Sequence, residues 1–201
     1  MHTLFVRFFA LSLLVLAGCA GQPQQGPGEE SWQAREDQLT RLDHWTASGK
    51  IALRTAEQAE SASLLWQQMG EATHLRLSGP LGVSATTVDS DGHQLEVRQG
   101  DDYSRWNLDD PNSAQPGGWD LPLRSMHYWL KGIPDPDLAV ESLQLDELSQ
   151  LPQQLQQQGW TVEYQQFSSF GNYHLPTKLR VFRGETQARI LLRNWTDLAS
   201  S

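Results

Sequence analysis

Leu75 and Leu77 alternate with His74, Arg76 and Ser78. A period of two predicts a strand with one apolar face and one wet face. The alternation recurs along the chain. Ala47, Gly49, Ile51 and Leu53 share one face, opposite Ser48, Lys50 and Arg54. Ala62, Leu64, Trp66 and Gln68 follow, with Leu65 making the second face locally apolar. Val83, Ala85 and Thr87 come next, then Leu95 and Val97, then residues 103–108. Gly70-Glu71, Asp91-Gly92 and Gly100-Asp101 supply turns, so this half reads as a meander of antiparallel hairpins. The pattern returns near the end. Trp160, Val162 and Tyr164 alternate with Thr161, Glu163 and Gln165, Leu179 and Val181 with Arg180, and Ala188, Ile190 and Leu192 run on to Trp195.

Two stretches carry the helical period instead. Residues 31–45 place Trp32, Leu39 and Leu42 near one face, with Ser31 as the cap and Arg35, Glu36, Asp37 and Arg41 mostly elsewhere. Residues 121–131 repeat Leu123, Met126 and Leu130 at i, i+3 and i+7, with Asp120 near the N-cap and Gly132 and Pro134 closing the helix. The glutamine-rich residues 151–158 suit a third, short helix. Residues 110–118 and 133–137 are loops by composition. Strands before and after a helical insert predict a mainly β (α+β) fold. Its architecture is a strongly curved sheet or incomplete antiparallel β-barrel of many short strands, with amphipathic helices over the open side.

The strand at Leu75 runs into Gly79-Pro80-Leu81-Gly82, a tight-turn sequence with Leu81 near the tip. A large aliphatic residue there either tucks back onto the sheet or stands out as an apolar probe for lipid.

The N-terminus bears on compartment. Arg7 precedes an apolar run from Phe8 to Leu16, then Ala17-Gly18-Cys19, the layout of a secretory signal over residues 1–18. Leu16-Ala17-Gly18-Cys19 resembles the bacterial lipobox. That resemblance implies cleavage before Cys19, a diacylglycerol thioether on its sulfur and acylation of the new amine. Ala20 replaces the aspartate that marks inner-membrane retention in enteric bacteria, which points to the outer membrane. Residues 19–30 then read as acylated cysteine plus flexible tether, 31–198 as a single domain and 199–201 as a tail. Cys19 is the only cysteine, so no intramolecular disulfide forms. Lys and Arg number 15 against 24 Asp and Glu, a net charge of −9. That balance argues against nucleic acid as a partner and against a polybasic lipid-binding patch.

Sites for chemistry are scarce. The chain has no Gly-x-Ser-x-Gly, no glycine-rich phosphate loop and no His-Glu-x-x-His. His44, His74, His93, His127 and His174 lack metal-ligand spacing. Asp89-Ser90-Asp91-Gly92 fails as a calcium loop, because its glycine comes too early. No catalytic residue, metal or cofactor is expected. Tryptophan is abundant, with eight residues, none in the signal, and Trp66, Trp129 and Trp160 fall on inward faces. They either fill a core or line a cavity for an apolar ligand, and pattern alone does not separate the two.

The motifs Gly49-Lys50-Ile51-Ala52, Leu65-Trp66-Gln67-Gln68 and Leu75-Arg76-Leu77-Ser78-Gly79-Pro80-Leu81-Gly82 resemble the outer-membrane lipoprotein receptor family LolB. So do Tyr128-Trp129-Leu130-Lys131-Gly132-Ile133-Pro134, Gly159-Trp160-Thr161-Val162-Glu163-Tyr164 and Leu175-Pro176-Thr177-Lys178-Leu179, in the family's order. The resemblance implies an incomplete barrel with a helical lid over an apolar cavity. It implies a monomer that takes triacylated lipoproteins from the periplasmic carrier LolA and inserts them into outer-membrane lipid. It also implies a membrane-insertion loop at Pro80, Leu81 and Gly82. Inward parity and helical spacing then give the acyl-cavity set: Ile51, Leu53, Trp66, Leu75, Leu77, Met126, Leu130 and Trp160. The chain departs from the family in residues 110–117, too short and breaker-rich for the further helix usual there. Two rival readings remain at this stage. One is a lipid-anchored carrier of another apolar ligand, in the manner of a lipocalin; the other is a structural outer-membrane lipoprotein with a filled core.

Overall fold

A computed structural model describes residues 31–57, 59–79, 85–108 and 121–200. The elements are helix α1 (Trp32–Arg41), then strands β1 (Leu42–Arg54), β2 (Ala59–Met69), β3 (Ala72–Ser78), β4 (Ala85–Ser90), β5 (Gln94–Gln99) and β6 (Asp102–Asn107). Helix α2 (Leu123–Lys131) follows. Strands β7 (Ser142–Leu145), β8 (Pro152–Gln157), β9 (Trp160–Phe170), β10 (Tyr173–Arg183) and β11 (Thr186–Ser200) complete the order. Cys19, the tether, the loop with Pro80, Leu81 and Gly82, and the 110–117 segment lie outside the described residues.

All eleven strands form one antiparallel sheet in the order β6-β5-β4-β3-β2-β1-β11-β10-β9-β8-β7. Two meanders of hairpins are therefore joined at one place, where the first strand pairs with the last. Along this seam Ile51 faces Ile190 and Leu53 faces Ala188. The sheet is open, with β6 and β7 as its edges.

It must also curl. Leu75 of β3 shares an apolar crevice with Met126 of α2, while Gln157 of β8 bonds to Trp129 of the same helix. In a flat sheet these strands, six steps apart, would lie roughly 29 Å from each other. A helix with its side chains is only about 10–12 Å across. The sheet therefore wraps around α2, which fills its concave side as the expected lid.

The core follows the period-two reading. Ala47, Ile51, Leu53, Leu64, Trp66, Leu75 and Leu77 are buried, as are Val162, Tyr164, Leu179, Val181, Ala188, Ile190 and Leu192. Three local expectations are corrected. The first helix ends at Arg41 rather than Trp45, and residues 42–45 open β1. Trp45 is drawn into the sheet core, where its ring lies 6.1 Å from that of Trp66 and 5.0 Å from that of Trp195. Residues 151–158 are not helical. Pro152–Gln157 is a strand paired to β9, with Gln156 opposite Thr161, across a turn at Gln158-Gly159 where both φ are positive. Helix α2 begins at Leu123, two residues late, because Pro122 occupies the N-cap.

Candidate functional site

Helix α2 is held in two different ways. Its C-terminal end is bolted by polar groups. Gly132 sits at φ +84°, and its N–H and that of Ile133 turn back to the carbonyls of Trp129 and Tyr128. This is the glycine-closed helix end that frees the chain to reverse. Trp129 donates its indole N–H to Gln157 Oε1 at 2.9 Å, and that oxygen also accepts from the Asp135 N–H at 3.0 Å. The Gln157 amide nitrogen donates to the carbonyls of Asp135 and Leu138. Gln157 is fully buried, and all four bonds are made within the protein. Ser125 donates to the Asp135 carboxylate at 2.8 Å, and the Tyr164 hydroxyl donates to the Trp129 carbonyl at 3.0 Å. Burial pushes the Tyr164 phenol far above its usual range.

Lys131 completes the attachment. Its buried ammonium donates to the carbonyls of Leu39 and Leu42 at 2.7 and 2.8 Å. These are orphan acceptors at the C-terminal end of α1, where a cation also meets the negative end of the helix dipole. Burial pulls the ammonium down to about 8, with Asp43 working the other way. Arg35, expected on the wet face of α1, is buried instead. Its guanidinium donates to the His174 carbonyl and lies over the Phe167 ring.

The face of α2 that carries Leu123, Met126 and Leu130 has no such bolts. No side chain caps the helix. Leu123, Met126 and Leu130 rest on Ile51, Leu64, Trp66, Leu75 and Ile190 through apolar contact alone, around a crevice of about 10 Å³. That volume admits about one water, so the apolar face is closed by the helix itself. Leu123 also lines a cleft of about 360 Å³ on the open side of the sheet, between α2 and Val88, Leu95 and Leu108. A cleft of that size is in the range that takes a small ligand.

Five of the eight residues expected to share a cavity therefore meet at one crevice: Ile51, Trp66, Leu75, Met126 and Leu130. Leu53 and Leu77 are buried in the same core but do not line it. Trp160 lies beyond Trp129, 6.5 Å between rings, with the Arg183 guanidinium over its outer side. Sequence reading missed Leu64, Leu121, Leu123 and Ile190 as lining residues and missed the cleft altogether. The alternation pattern already held the signal for Leu64 and Ile190.

His127 lines the cleft beside Tyr128, their rings 3.8 Å apart. Burial, with Lys131 and then Arg124, depresses its imidazole to about 3. The ring is therefore neutral in the fold at every pH from 5 to 8. Below about 6.5 the unfolded chain binds a proton that the folded chain refuses, so stability falls as pH falls toward 3. His127→Gln is expected to flatten the melting temperature measured between pH 6.5 and pH 4, while the parent declines over that window.

A family model described as "Outer membrane lipoprotein LolB" matches residues 43–195. The chain belongs to this family. The match spans the seam, both halves of the sheet and α2. Relatives named "Outer-membrane lipoprotein LolB" include one from Chromohalobacter salexigens, 33% identical over 93% of this chain and 88% of its own. Another, from Alkalilimnicola ehrlichii, is 35% identical over 92% of this chain and 94% of its own. The fold is similar to that of a LolA superfamily protein from Nitrosomonas europaea, with a TM-score of 0.50 and 12% identity over 85% of this chain and 96% of that one. The chain is thus an outer-membrane lipoprotein of the LolB family, built on the open-sheet architecture found in that LolA superfamily protein.

Proposed function

We propose that the chain receives the acyl chains of a lipoprotein from a periplasmic carrier of the LolA type and delivers them to the outer membrane. The physical need is plain. At about 0.8 kcal/mol per methylene, a cargo with about forty methylenes loses roughly 30 kcal/mol if its chains enter water. Transfer therefore has to run through apolar walls, from one protein to the next and then to lipid.

The observation that carries this reading is the unequal fastening of α2. The helix is held to β8 and β9 through Gln157 and Tyr164, and to α1 and the first residue of β1 through Lys131, while its face toward Ile51, Leu64, Trp66 and Leu75 is apolar and unbolted. Acyl chains entering by the cleft at Leu123 replace these contacts with chemically equivalent ones. The lid parts from β2 and β3 while its buried hydrogen bonds to Gln157, Tyr164, Leu39 and Leu42 stay in place. Ile51, Trp66, Leu75, Met126 and Leu130 then form the acyl site, and the loop with Pro80, Leu81 and Gly82 touches the membrane during release.

The test follows a radiolabelled lipoprotein from its carrier complex to the purified chain, and then to liposomes. Met126→Asp strands a carboxylate against acyl chains and is expected to cut acceptance at least tenfold. Leu123→Glu lies at the partly exposed mouth, so it is expected to do the same with a melting temperature near that of the parent. Leu81→Glu is expected to leave acceptance intact and slow release. Normal acceptance by folded Leu123→Glu and Met126→Asp chains rejects the acyl site. Equal damage to acceptance, release and stability in Leu81→Glu rejects the membrane-touching loop.

A further inference from the structure

The cations of this acidic chain are not spread evenly. Lys50, Arg54, Lys178, Arg180, Arg189 and Arg193 alternate with the buried residues of β1, β10 and β11, and so stand on the outer face of the sheet across the seam. They are six of the chain's fifteen Lys and Arg residues. Among the described residues, only Arg180 of the six has a carboxylate partner, Glu163 at 2.8 Å. Small side chains at Ala52 and Ser61 leave a depression of about 500 Å³ between Lys50, Lys178, Arg180 and Arg189. Leu191, 37% exposed, lines it and is paired with Lys50 on one side and Lys178 on the other.

The strand register lines this patch up with the end of β3. Ser78 pairs with Ser63, Ser63 with Lys50, Lys50 with Leu191, and Leu191 with Lys178. This row runs straight from the cations to the residue where β3 ends and the chain leaves toward Leu81. The net charge of −9 concealed the arrangement, because among the described residues Glu163 alone pairs with these six cations.

We propose that this outer face is a docking surface for the anionic phospholipid headgroups of a bilayer, seating the domain with the Leu81 loop toward the membrane. The inference rests on the reading above that the chain hands cargo to lipid. Unpaired cations gathered on one face attract lipid phosphate and acidic headgroups, and salt screens that attraction. An exposed leucine adds an apolar contact at the headgroup boundary. An acidic protein would satisfy the charge alone. Continuity of the row with the loop favours the membrane.

The experiment uses the acylated chain in vesicles, with Ser61→Cys carrying a fluorescent probe and no cargo or carrier present. Vesicles are phosphatidylcholine alone, or phosphatidylcholine with one third phosphatidylglycerol, each containing headgroup spin-labelled lipid. Quenching is expected to be at least twofold stronger with phosphatidylglycerol, and to fall to the phosphatidylcholine level in high salt and in the Lys50→Glu/Arg189→Glu chain. Both side chains are exposed, and circular dichroism confirms folding. Equal quenching in the two vesicle types overturns the proposal, as does a charge-reversed chain quenched like its parent. A separate arm adds the soluble carrier without cargo, and shielding of the probe in that arm alone assigns the face to a protein and overturns the proposal too. Because no cargo moves, each of these failures leaves the transfer reading standing.

Discussion

Gly49→Ala is expected to unfold the domain. A Cβ at this position would lie 1.9 Å from the Leu191 carbonyl oxygen and 2.9 Å from the Leu192 Cα, both backbone atoms of the facing strand. No rotamer change relieves a clash with backbone. The two strands must separate where β1 meets β11, next to the irregularity between Ser48 and Gly49. The expected loss is more than about 4 kcal/mol, among the largest for a single substitution. At about 2–4 °C per kcal/mol for a domain of this size, the melting temperature falls by roughly 10–15 °C, or the chain is recovered aggregated. Gly70→Ala is the control. Its Cβ meets nothing within 4 Å, and its φ of +60° leaves only a local backbone penalty of about 1–2 kcal/mol. A Gly49→Ala chain that melts like Gly70→Ala would show that the seam is looser than the register implies.

Gln157→Leu is expected to release the lid from the sheet half that holds it. The substitution keeps size and removes both donor and acceptor. The Trp129 indole N–H, the Asp135 N–H and the carbonyls of Asp135 and Leu138 all lose their partner in a buried place. At about 1–3 kcal/mol for each group left unpaired, the total is roughly 4 kcal/mol or more. The melting temperature is expected to drop by roughly 10 °C, and hydrogen exchange of the Trp129 and Leu130 amides to quicken before global unfolding. Gln157→Glu keeps an acceptor for the two N–H groups but turns a carboxylate toward two carbonyls, and is expected to be no better. A Gln157→Leu chain with parental exchange in α2 would mean that packing alone fastens the helix.

These two residues also show what can be read without coordinates. Ile51, Trp66, Leu75 and Ile190 announce their side of the sheet through period two, because burial of an apolar face is a local property of a strand. Met126 and Leu130 announce theirs through the helical period. Polar residues give no such signal. Gln157 sits in a run of glutamines that reads as solvated, Lys131 ends a helix where a cation is ordinary, and Arg35 looks like one charged residue among several. Each is buried because of partners distant in sequence, and nothing near it in the chain names them. The same holds for Lys50, Lys178 and Arg189. Composition counts charges, while the register of three strands decides where they gather.

The meeting of β1 with β11 also sets an order in time. Every other pairing in the sheet joins neighbours along the chain, and such hairpins form within microseconds. The central pair alone must close a loop containing nearly the whole domain, the kind of contact that slows folding. A chain emerging N-terminus first can zip β1 through β6 early, yet it holds Ile51 and Leu53 beside an empty place until the fifteen residues of β11 arrive. Until then its longest open strand edge lies in what will become the middle of the sheet. The half-made protein is thus most exposed to wrong partners at the place where the finished one is most deeply enclosed.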